Sequence, residues 1–453
     1  MKIRDYQFKA IDLIKEVKRV LLAMQMGAGK SLISLKAFSD LKKEGKANRM
    51  LIVAPNFVAN YTWPEEIEKW KELVGDFSYN IISGNKKQRE KAMELKTDIS
   101  IINIENIVWL FEEYKDLIKK EFDIMIFDES SSLAEAKKKT KLKNLTRYSA
   151  TFEISKLLDY VVLLSGTPTP NGIKGIFGQA QCLKDKILAT SKTAFLKQYF
   201  DDVGYKFPDY RPKKGAREEI IEKMGLHMFQ LDTDKILDLP ECFMLTRKVE
   251  ENKKNLKMMR ELKNNFILNL ESDKIIVENE TAKRIKLFQM CAGGIYKNKE
   301  KDFEILHEDK IKVLKEIINE VDGNGILVLY NYEFEKKMIK DNFKNACFAS
   351  DDNNIKKFEK GDIPILFAHP QQVGAGLNFQ EYNNITVWLT LPKSLFHYLQ
   401  ANKRMHRSGQ KKVVSIYHIL NTAMEVELLE ILNNKKIDQE EFIQLFNKIN
   451  IDI

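Results

Sequence analysis

The sequence predicts an α/β protein made of two parallel-sheet lobes joined by a helical insertion. Short apolar runs alternate with helical patterns over residues 1–172, and the same alternation returns over residues 301–453. The runs are continuously apolar, which is typical of strands covered on both faces and therefore of parallel sheets between helices. Residues 173–300 carry long charged helical patterns, such as 249–270, and we expect a helical insertion and linker there.

Length and composition are compatible with a soluble protein of about two or three domains. The chain has 453 residues, with 74 Lys and Arg against 65 Asp and Glu, which gives a net charge of +9. This excess permits a polyanionic partner, although a lysine-rich solvated surface explains it equally well. The four cysteines are too far apart for a zinc site or a disulfide framework. We see no signal-peptide core and no apolar run of ~18 residues, so we expect a soluble intracellular protein.

Five apolar runs predict the strands of the first lobe. They lie at 20–23, 51–54, 99–102, 124–127 and 161–164. Ligands of doubly covered parallel sheets gather at the carboxyl ends of the strands. We therefore expect functional residues directly after these runs.

A glycine loop follows the first run and predicts a nucleotide site. The run leads into Met26-Gly27-Ala28-Gly29-Lys30-Ser31 and then into an amphipathic helix that begins near Leu32. Such a loop directs backbone N–H groups and the positive end of a helix at one point, which suits phosphate. Lys30 would reach the β and γ phosphates, and Ser31 would hold Mg²⁺. The strict nucleotide-loop pattern has a glycine where Met24 stands, so an ordinary strand-turn-helix corner is the alternative.

Polar residues also follow two other strands of this lobe. Asp128 and Glu129 come directly after 124–127 and suit a metal ligand and a water-orienting base, with a polar strand end as the alternative. Ser165-Gly166-Thr167-Pro168 follow the last run, where they are placed to sense the γ-phosphate. Gln7 precedes the first strand and is a candidate reader of the adenine edge, with an ordinary surface glutamine as the alternative.

The second lobe offers arginines where the first offers a glycine-lysine loop. Arg404 and Arg407 are three residues apart, so on a helix they would share a face and point at one anionic target. The predicted strands of the second lobe lie at 325–330, 364–368, 385–389 and 414–417.

In the first lobe, the basic run 137–141 either faces nucleic acid or is a solvated helix start.

Taken in order, these motifs resemble the superfamily 2 helicases, and within them they are most similar to the Swi/Snf-type DNA-dependent ATPases. His406-Arg407-Ser408-Gly409-Gln410 is the feature closest to that family. Small size and richness in Lys, Ile and Asn suggest a compact viral or bacterial member, in the cytoplasm of a bacterial or virus-infected cell. The resemblance covers nearly the whole chain through Arg4–Gln7, Met26–Ser31, Val53–Pro55 with Trp63 and Trp70, Asp128–Ser131, Ser165–Pro168, Gly374–Asn378 and Gln400–Gln410.

The resemblance implies a RecA-like fold for both lobes and a role for each matching residue. It assigns nucleotide binding to Gln7, Gly27, Ala28, Gly29, Lys30, Ser31 and Gly376. It assigns Mg²⁺ to Ser31 and Asp128. It assigns catalysis to Lys30, to the water-orienting Glu129, and to Arg404 and Arg407 as arginine fingers. It assigns coupling between the γ-phosphate and DNA to Ser165, Thr167 and Gln400.

We therefore expect an ATP hydrolase whose two lobes close on MgATP and move along double-stranded DNA. The alternative is a strand-separating DNA or RNA helicase that uses the same cleft. A nucleotide-gated scaffold that binds DNA without hydrolysing ATP is less favoured, because every hydrolytic residue of the family is present.

Overall fold

The structure is a computed structural model, and its described residues form two compact units. One unit lies before residue 238 and the other from residue 238 onward, a division that falls inside the predicted insertion. The described residues are 3–434 except 26, 136–144, 171, 205–209, 232–238, 251, 266, 270–273, 277–278, 299–301, 322–324, 352, 374–376 and 408. The basic run 137–141 and Gly376 therefore lie outside them.

The first unit alternates strands and helices in the predicted manner. Its elements are α1 (Asp5–Val17), β1 (Arg19–Met24), α2 (Lys30–Lys43), β2 (Met50–Ala54), α3 (Trp63–Val74), β3 (Tyr79–Ile82), α4 (Lys86–Met93), β4 (Ile99–Asn103), α5 (Ile107–Glu121), β5 (Ile124–Asp128), α6 (Arg147–Ser155), β6 (Tyr160–Ser165), α7 (Ile176–Leu183), α8 (Lys192–Tyr199), β7 (Phe200–Asp202), β8 (Tyr210–Pro212), α9 (Ala216–Met224) and β9 (Met228–Leu231).

Seven strands of this unit form one parallel sheet in the order β3-β4-β2-β5-β6-β1-β9. All five predicted strands are present, and their side chains are buried almost throughout, which confirms strands covered on both faces. Sequence analysis did not identify β3 or β9. Both are four-residue strands whose buried and half-buried residues alternate, so neither gives a continuous apolar run.

The second unit repeats this architecture with a smaller sheet. Its elements are β10 (Cys242–Lys248), α10 (Lys253–Asn265), β11 (Ile267–Asn269), β12 (Lys274–Ile276), α11 (Glu280–Cys291), β13 (Gly294–Tyr296), β14 (Phe303–Ile305), α12 (Asp309–Glu320), β15 (Ile326–Leu329), α13 (Glu333–Asn342), α14 (Asn354–Glu359), β16 (Ile365–Ala368), β17 (Ile385–Trp388), α15 (Leu395–Asn402) and β18 (Val414–Leu420), followed by a helix at 423–434.

Its main sheet is parallel and runs β10-β18-β17-β15-β16. The four predicted strands of the second lobe are all in it. The strand that sequence analysis did not identify, β10, is an edge strand with mostly exposed side chains, and it lies within the predicted insertion. The helical pattern at 249–270 forms α10 and then the short strand β11, so its helix is shorter than the pattern.

Helices cover both faces of each sheet and bury its apolar side chains. In the first unit, Leu21, Leu163 and Phe127 lie in a core with residues of α5, α6 and α7. In the second unit, Leu327 and Trp388 pack with residues of α15. The prediction of two parallel-sheet lobes is thus confirmed, and none of the described helices is long and apolar enough to cross a membrane.

Candidate nucleotide-binding and catalytic site

The glycine loop joins β1 to α2 through two residues with left-handed backbone. Gly27 has φ +81° and Gly29 has φ +84°, backbone conformations that residues other than glycine rarely adopt. Gly29 directly precedes α2 as its N-cap. A Cβ added to Gly29 would lie 2.2 Å from Gln7 Nε2, so a side chain at this position would also clash. The sequence folds as a tight loop here because glycine is required twice.

Gln7 packs against this loop. Its Nε2 donates to the Ala28 carbonyl at 3.3 Å, and Tyr6 Oη donates to the same carbonyl at 3.2 Å. Its Oε1 accepts from the Arg4 backbone N–H at 2.9 Å, which caps α1. Gln7 is only 6% exposed. The surface-glutamine alternative is therefore wrong, while the role in reading adenine stays a prediction.

Lys30 lies over the carbonyls at the end of β1. Its Nζ donates to the Met24 carbonyl at 2.9 Å and to the Gln25 carbonyl at 3.2 Å. Met24, which replaces the glycine of the strict loop pattern, is the buried last residue of β1. Methionine in place of glycine therefore does not prevent the contact of Lys30 with residue 24, because that contact uses a backbone carbonyl that any residue supplies.

The acid pair follows β5, and one carboxylate is fixed by two hydrogen bonds. Asp128 Oδ2 accepts from Trp63 Nε1 at 3.1 Å, and Oδ1 accepts from the Glu129 backbone N–H at 3.0 Å. Burial raises the pKa of Asp128, while the charge of Lys30 and both hydrogen bonds oppose that rise. Glu129 has φ +56°, an uncommon backbone for a residue other than glycine. Such strain is typical of functional sites.

Sheet order brings the three loops to one edge. β5, β6 and β1 are neighbours in the sheet, and Asp128 is level with Leu164 while Ser165 is level with Ala23. The acid pair, the Ser165 turn and the glycine loop therefore leave the same edge side by side. Ser165 is buried, and its Oγ accepts from the Thr167 backbone N–H at 3.1 Å, which braces the turn.

The side chains predicted to hold Mg²⁺ fit that ion. Ser31 lies in the first turn of α2 and Asp128 at the end of β5, and both offer the oxygen ligands that Mg²⁺ prefers. The described residues contain no group of three or more His, Cys, Asp and Glu arranged for a metal. Mg²⁺ bound with a nucleotide needs only one or two protein ligands, since phosphates and water complete its shell.

In the second unit, Arg404 and Arg407 bind one backbone segment. The prediction that they share a helix face is wrong, because α15 ends at Asn402. Arg404, only 1% exposed, donates from Nε to the Val373 carbonyl at 3.0 Å and from Nη1 to the Leu377 carbonyl at 3.2 Å. Arg407 Nη1 donates to the same Leu377 carbonyl at 2.9 Å. The arginines thus converge through a loop contact, and Arg407 is the more accessible of the two.

Two residues at the first-unit site had no role in the sequence analysis. Trp63 orients Asp128, and Gln179 on α7 contacts the residue after Glu129. The indole N–H of a buried tryptophan usually donates a hydrogen bond. The sequence could therefore have predicted such a bond for Trp63, but not that Asp128 accepts it. Gln179 carried no such signal, because a glutamine in an apolar helix matches no motif. In the second unit, Gln400 is buried on α15.

Several known proteins are similar to this chain. The profile of the family described as type III restriction enzyme, res subunit, matches residues 1–170. Over 98% of both chains, the sequence is 28% identical to putative protein p41 of Acyrthosiphon pisum secondary endosymbiont phage 1. It is 22% identical to transcription regulatory protein SNF2 of Saccharomyces cerevisiae, over 96% of this chain and 27% of the yeast protein. These similarities support a superfamily 2 helicase-like ATPase that is most similar to the Swi/Snf type.

Other similarities extend over most of the length of this chain. It is 24% identical to the SWI/SNF-related matrix-associated actin-dependent regulator of chromatin subfamily A-like protein 1 of Xenopus tropicalis, over 89% of this chain and 40% of that one. It also resembles the Sulfolobus solfataricus SWI2/SNF2 ATPase core in complex with dsDNA, with 19% identity, a TM-score of 0.44, and coverage of 99% and 95% of the two chains. The chain spans less than half the length of the yeast and Xenopus proteins but nearly all of the phage protein. Similarity to this superfamily implies ATP hydrolysis and nucleotide binding, typically with Mg²⁺, and the phage relative fits a compact viral member.

Proposed function

We propose that this chain is a DNA-dependent ATPase that couples MgATP hydrolysis to movement along double-stranded DNA. The observation that carries the proposal is the convergence of the glycine loop, the acid pair and the Ser165 turn at the ends of three adjacent strands. Similarity to Swi/Snf-type proteins and the net charge of +9 support nucleic acid as the partner.

ATP would bind with its phosphates on the N-terminus of α2. Lys30 would leave the carbonyls of Met24 and Gln25 for the β and γ phosphates, which attract its ammonium more strongly than neutral carbonyls do. Gln7 lies beside the loop, where its amide would read the adenine edge. Ser31 and Asp128 would hold Mg²⁺, which supplies charge neutralisation on the phosphates.

Glu129 would orient the attacking water and accept its proton. Its left-handed backbone, beside a carboxylate that is fixed by Trp63, gives the acid pair one defined arrangement. A preorganised base needs no reorganisation at the moment of reaction. Ser165 and Thr167, on the neighbouring strand end, would transmit the state of the γ-phosphate to DNA contacts that include Gln400.

The second lobe would complete the site with Arg404 and Arg407. In this proposal, closure brings their guanidinium groups to the γ-phosphate in the transition state. Hydrolysis then removes that attraction and the lobes reopen. Alternate closing and opening would move the lobes along the duplex.

Nucleic-acid specificity is the test of this proposal. ATPase rates are compared with duplex DNA, single-stranded DNA and RNA, and strand displacement is compared on a triplex and on a forked duplex. We expect the largest stimulation by duplex DNA and displacement of the third strand from the triplex. Binding should weaken steeply with salt and show little sequence preference, because the contacts are mainly to phosphates. Efficient unwinding of the forked duplex would refute translocation without strand separation.

A further inference from the structure

A buried glutamine of α7 connects two of the loops at the candidate site. Gln179 Oε1 accepts from Ser130 Oγ at 2.9 Å, and Gln179 Nε2 donates to the Pro168 carbonyl at 2.7 Å. Ser130 follows Glu129 directly, and Pro168 is the last residue of the Ser-Gly-Thr-Pro turn. Gln179 and Ser130 are both fully buried. One side chain therefore bridges the acid-pair loop and the turn on the neighbouring strand.

The orientation of this amide is determined by its partners. The Pro168 carbonyl can only accept a hydrogen bond, so the NH₂ group of Gln179 must face it. The amide oxygen then faces Ser130, whose hydroxyl donates. Close packing of α7 against the 3₁₀ turn Ser130–Glu135 makes the contact possible, since a Cβ on Gly175, the residue directly before α7, would lie 3.2 Å from Ala134 Cβ.

The bridge bears on Glu129 because that residue has a strained backbone. A residue other than glycine keeps φ +56° only where its surroundings over-determine it. Two hydrogen bonds to nearby residues hold this backbone: Glu129 N–H donates to the side-chain Oδ1 of Asp128 at 3.0 Å, and Ser132 N–H donates to the Glu129 carbonyl at 3.0 Å. The bond from Ser130 to Gln179 adds a tie from outside the loop.

We propose that Gln179 is a positioning residue that couples the direction of the Glu129 carboxylate to the Ser-Gly-Thr-Pro turn. The turn is braced internally, because Ser165 Oγ accepts a hydrogen bond from the Thr167 N–H. A displacement of the turn at Pro168 would pass through the Gln179 amide to Ser130 and so to Glu129. This inference rests on the proposed function, since it assigns Glu129 to orienting water.

The test replaces Gln179 with leucine and uses a neighbouring glutamine as the control. Gln181 is also buried on α7, and its Nε2 donates to the Ala189 carbonyl at 2.8 Å, which belongs to neither loop. We expect Gln179→Leu to lower kcat for ATP about ten- to a hundredfold with KM within about threefold, because small misplacements of a catalytic group are costly. Gln181→Leu should keep the wild-type kcat at a similar loss of thermal stability.

Ser130→Ala and the double variant test the route of the effect. Ser130→Ala removes one end of the bridge, so its effect on kcat and that of Gln179→Leu should overlap rather than multiply. Hydrogen–deuterium exchange gives a readout that is independent of activity. Amides in peptides 128–132 and 165–169 should both exchange faster in Gln179→Leu and should be unchanged in Gln181→Leu.

The outcomes separate this inference from the proposed function. Equal kcat losses in the two glutamine variants, multiplying effects of Ser130→Ala and Gln179→Leu, or faster exchange in only one of the two peptides would overturn the positioning role. A wild-type protein without stimulation by duplex DNA would refute the proposed function instead. Gln179 would then still be judged by kcat without DNA and by exchange.

Discussion

Trp63 gives the sharpest test of the first-unit site, because its indole holds the predicted Mg²⁺ ligand. Trp63→Phe removes the N–H that donates to Asp128 Oδ2 at 3.1 Å and keeps an aromatic ring in the buried position. A hydrogen bond to a charged group contributes about 1.5–3 kcal/mol. At 1.36 kcal/mol per tenfold change, that is about 10- to 150-fold in the affinity of a ligand that needs the oriented carboxylate. Mutation of a group that orients a metal ligand typically lowers metal affinity by ~10–100-fold.

The assay is ATPase rate against Mg²⁺ concentration at fixed ATP and pH. We expect the Mg²⁺ midpoint of Trp63→Phe to rise about 10- to 100-fold, with kcat recovered at saturating Mg²⁺. Trp70→Phe is the matched control, since Trp70 lies on the same helix and its Nε1 donates to Glu66 Oε2 at 2.8 Å rather than to Asp128. An unchanged midpoint in Trp63→Phe, or a loss of kcat that Mg²⁺ does not restore, would refute the reasoning.

Three further predictions concern Lys30, Arg407 and Glu335. Lys30→Ala should abolish hydrolysis, and it should leave thermal stability unchanged because the side chain is partly exposed. Unchanged ATPase activity would show that this loop is not the nucleotide site. Arg407→Ala should bind ATP within a few-fold of wild type but hydrolyse it about 10³- to 10⁵-fold more slowly with saturating DNA, and lysine should not rescue it, which single-turnover assays would check. Burial raises the pKa of Glu335 from 4.5 to about 7, so the folded state retains a proton that the unfolded state releases between these values. Stability should therefore fall by on the order of 3 kcal/mol as pH rises through this window, and Glu335→Gln should lack that fall in urea denaturation at several pH values.

Most strands of the two main sheets and the nucleotide loop could be predicted because their signals are local. A continuous apolar run at 124–127 specifies a strand buried on both faces, whatever its neighbours are. Gly27 and Gly29 are required by their own backbone angles. The acid pair and the Ser165 turn were placed at strand ends by chain order alone. Parallel topology then brings those strand ends to one edge.

The contacts that orient these groups were decided by tertiary structure. Trp63 and Asp128 are 65 residues apart in sequence, and Ser130 and Gln179 are 49 apart. No periodicity or spacing pairs such residues, because they meet only through the packing of α3 and α7. Arg404 and Arg407 show the converse, since a helical spacing predicted a shared face, whereas the helix ends at Asn402 and a loop carbonyl brings them together. The sequence by itself thus determined which groups are present and at which strand ends they lie, while their orientation depends on hydrogen bonds between residues distant in the chain.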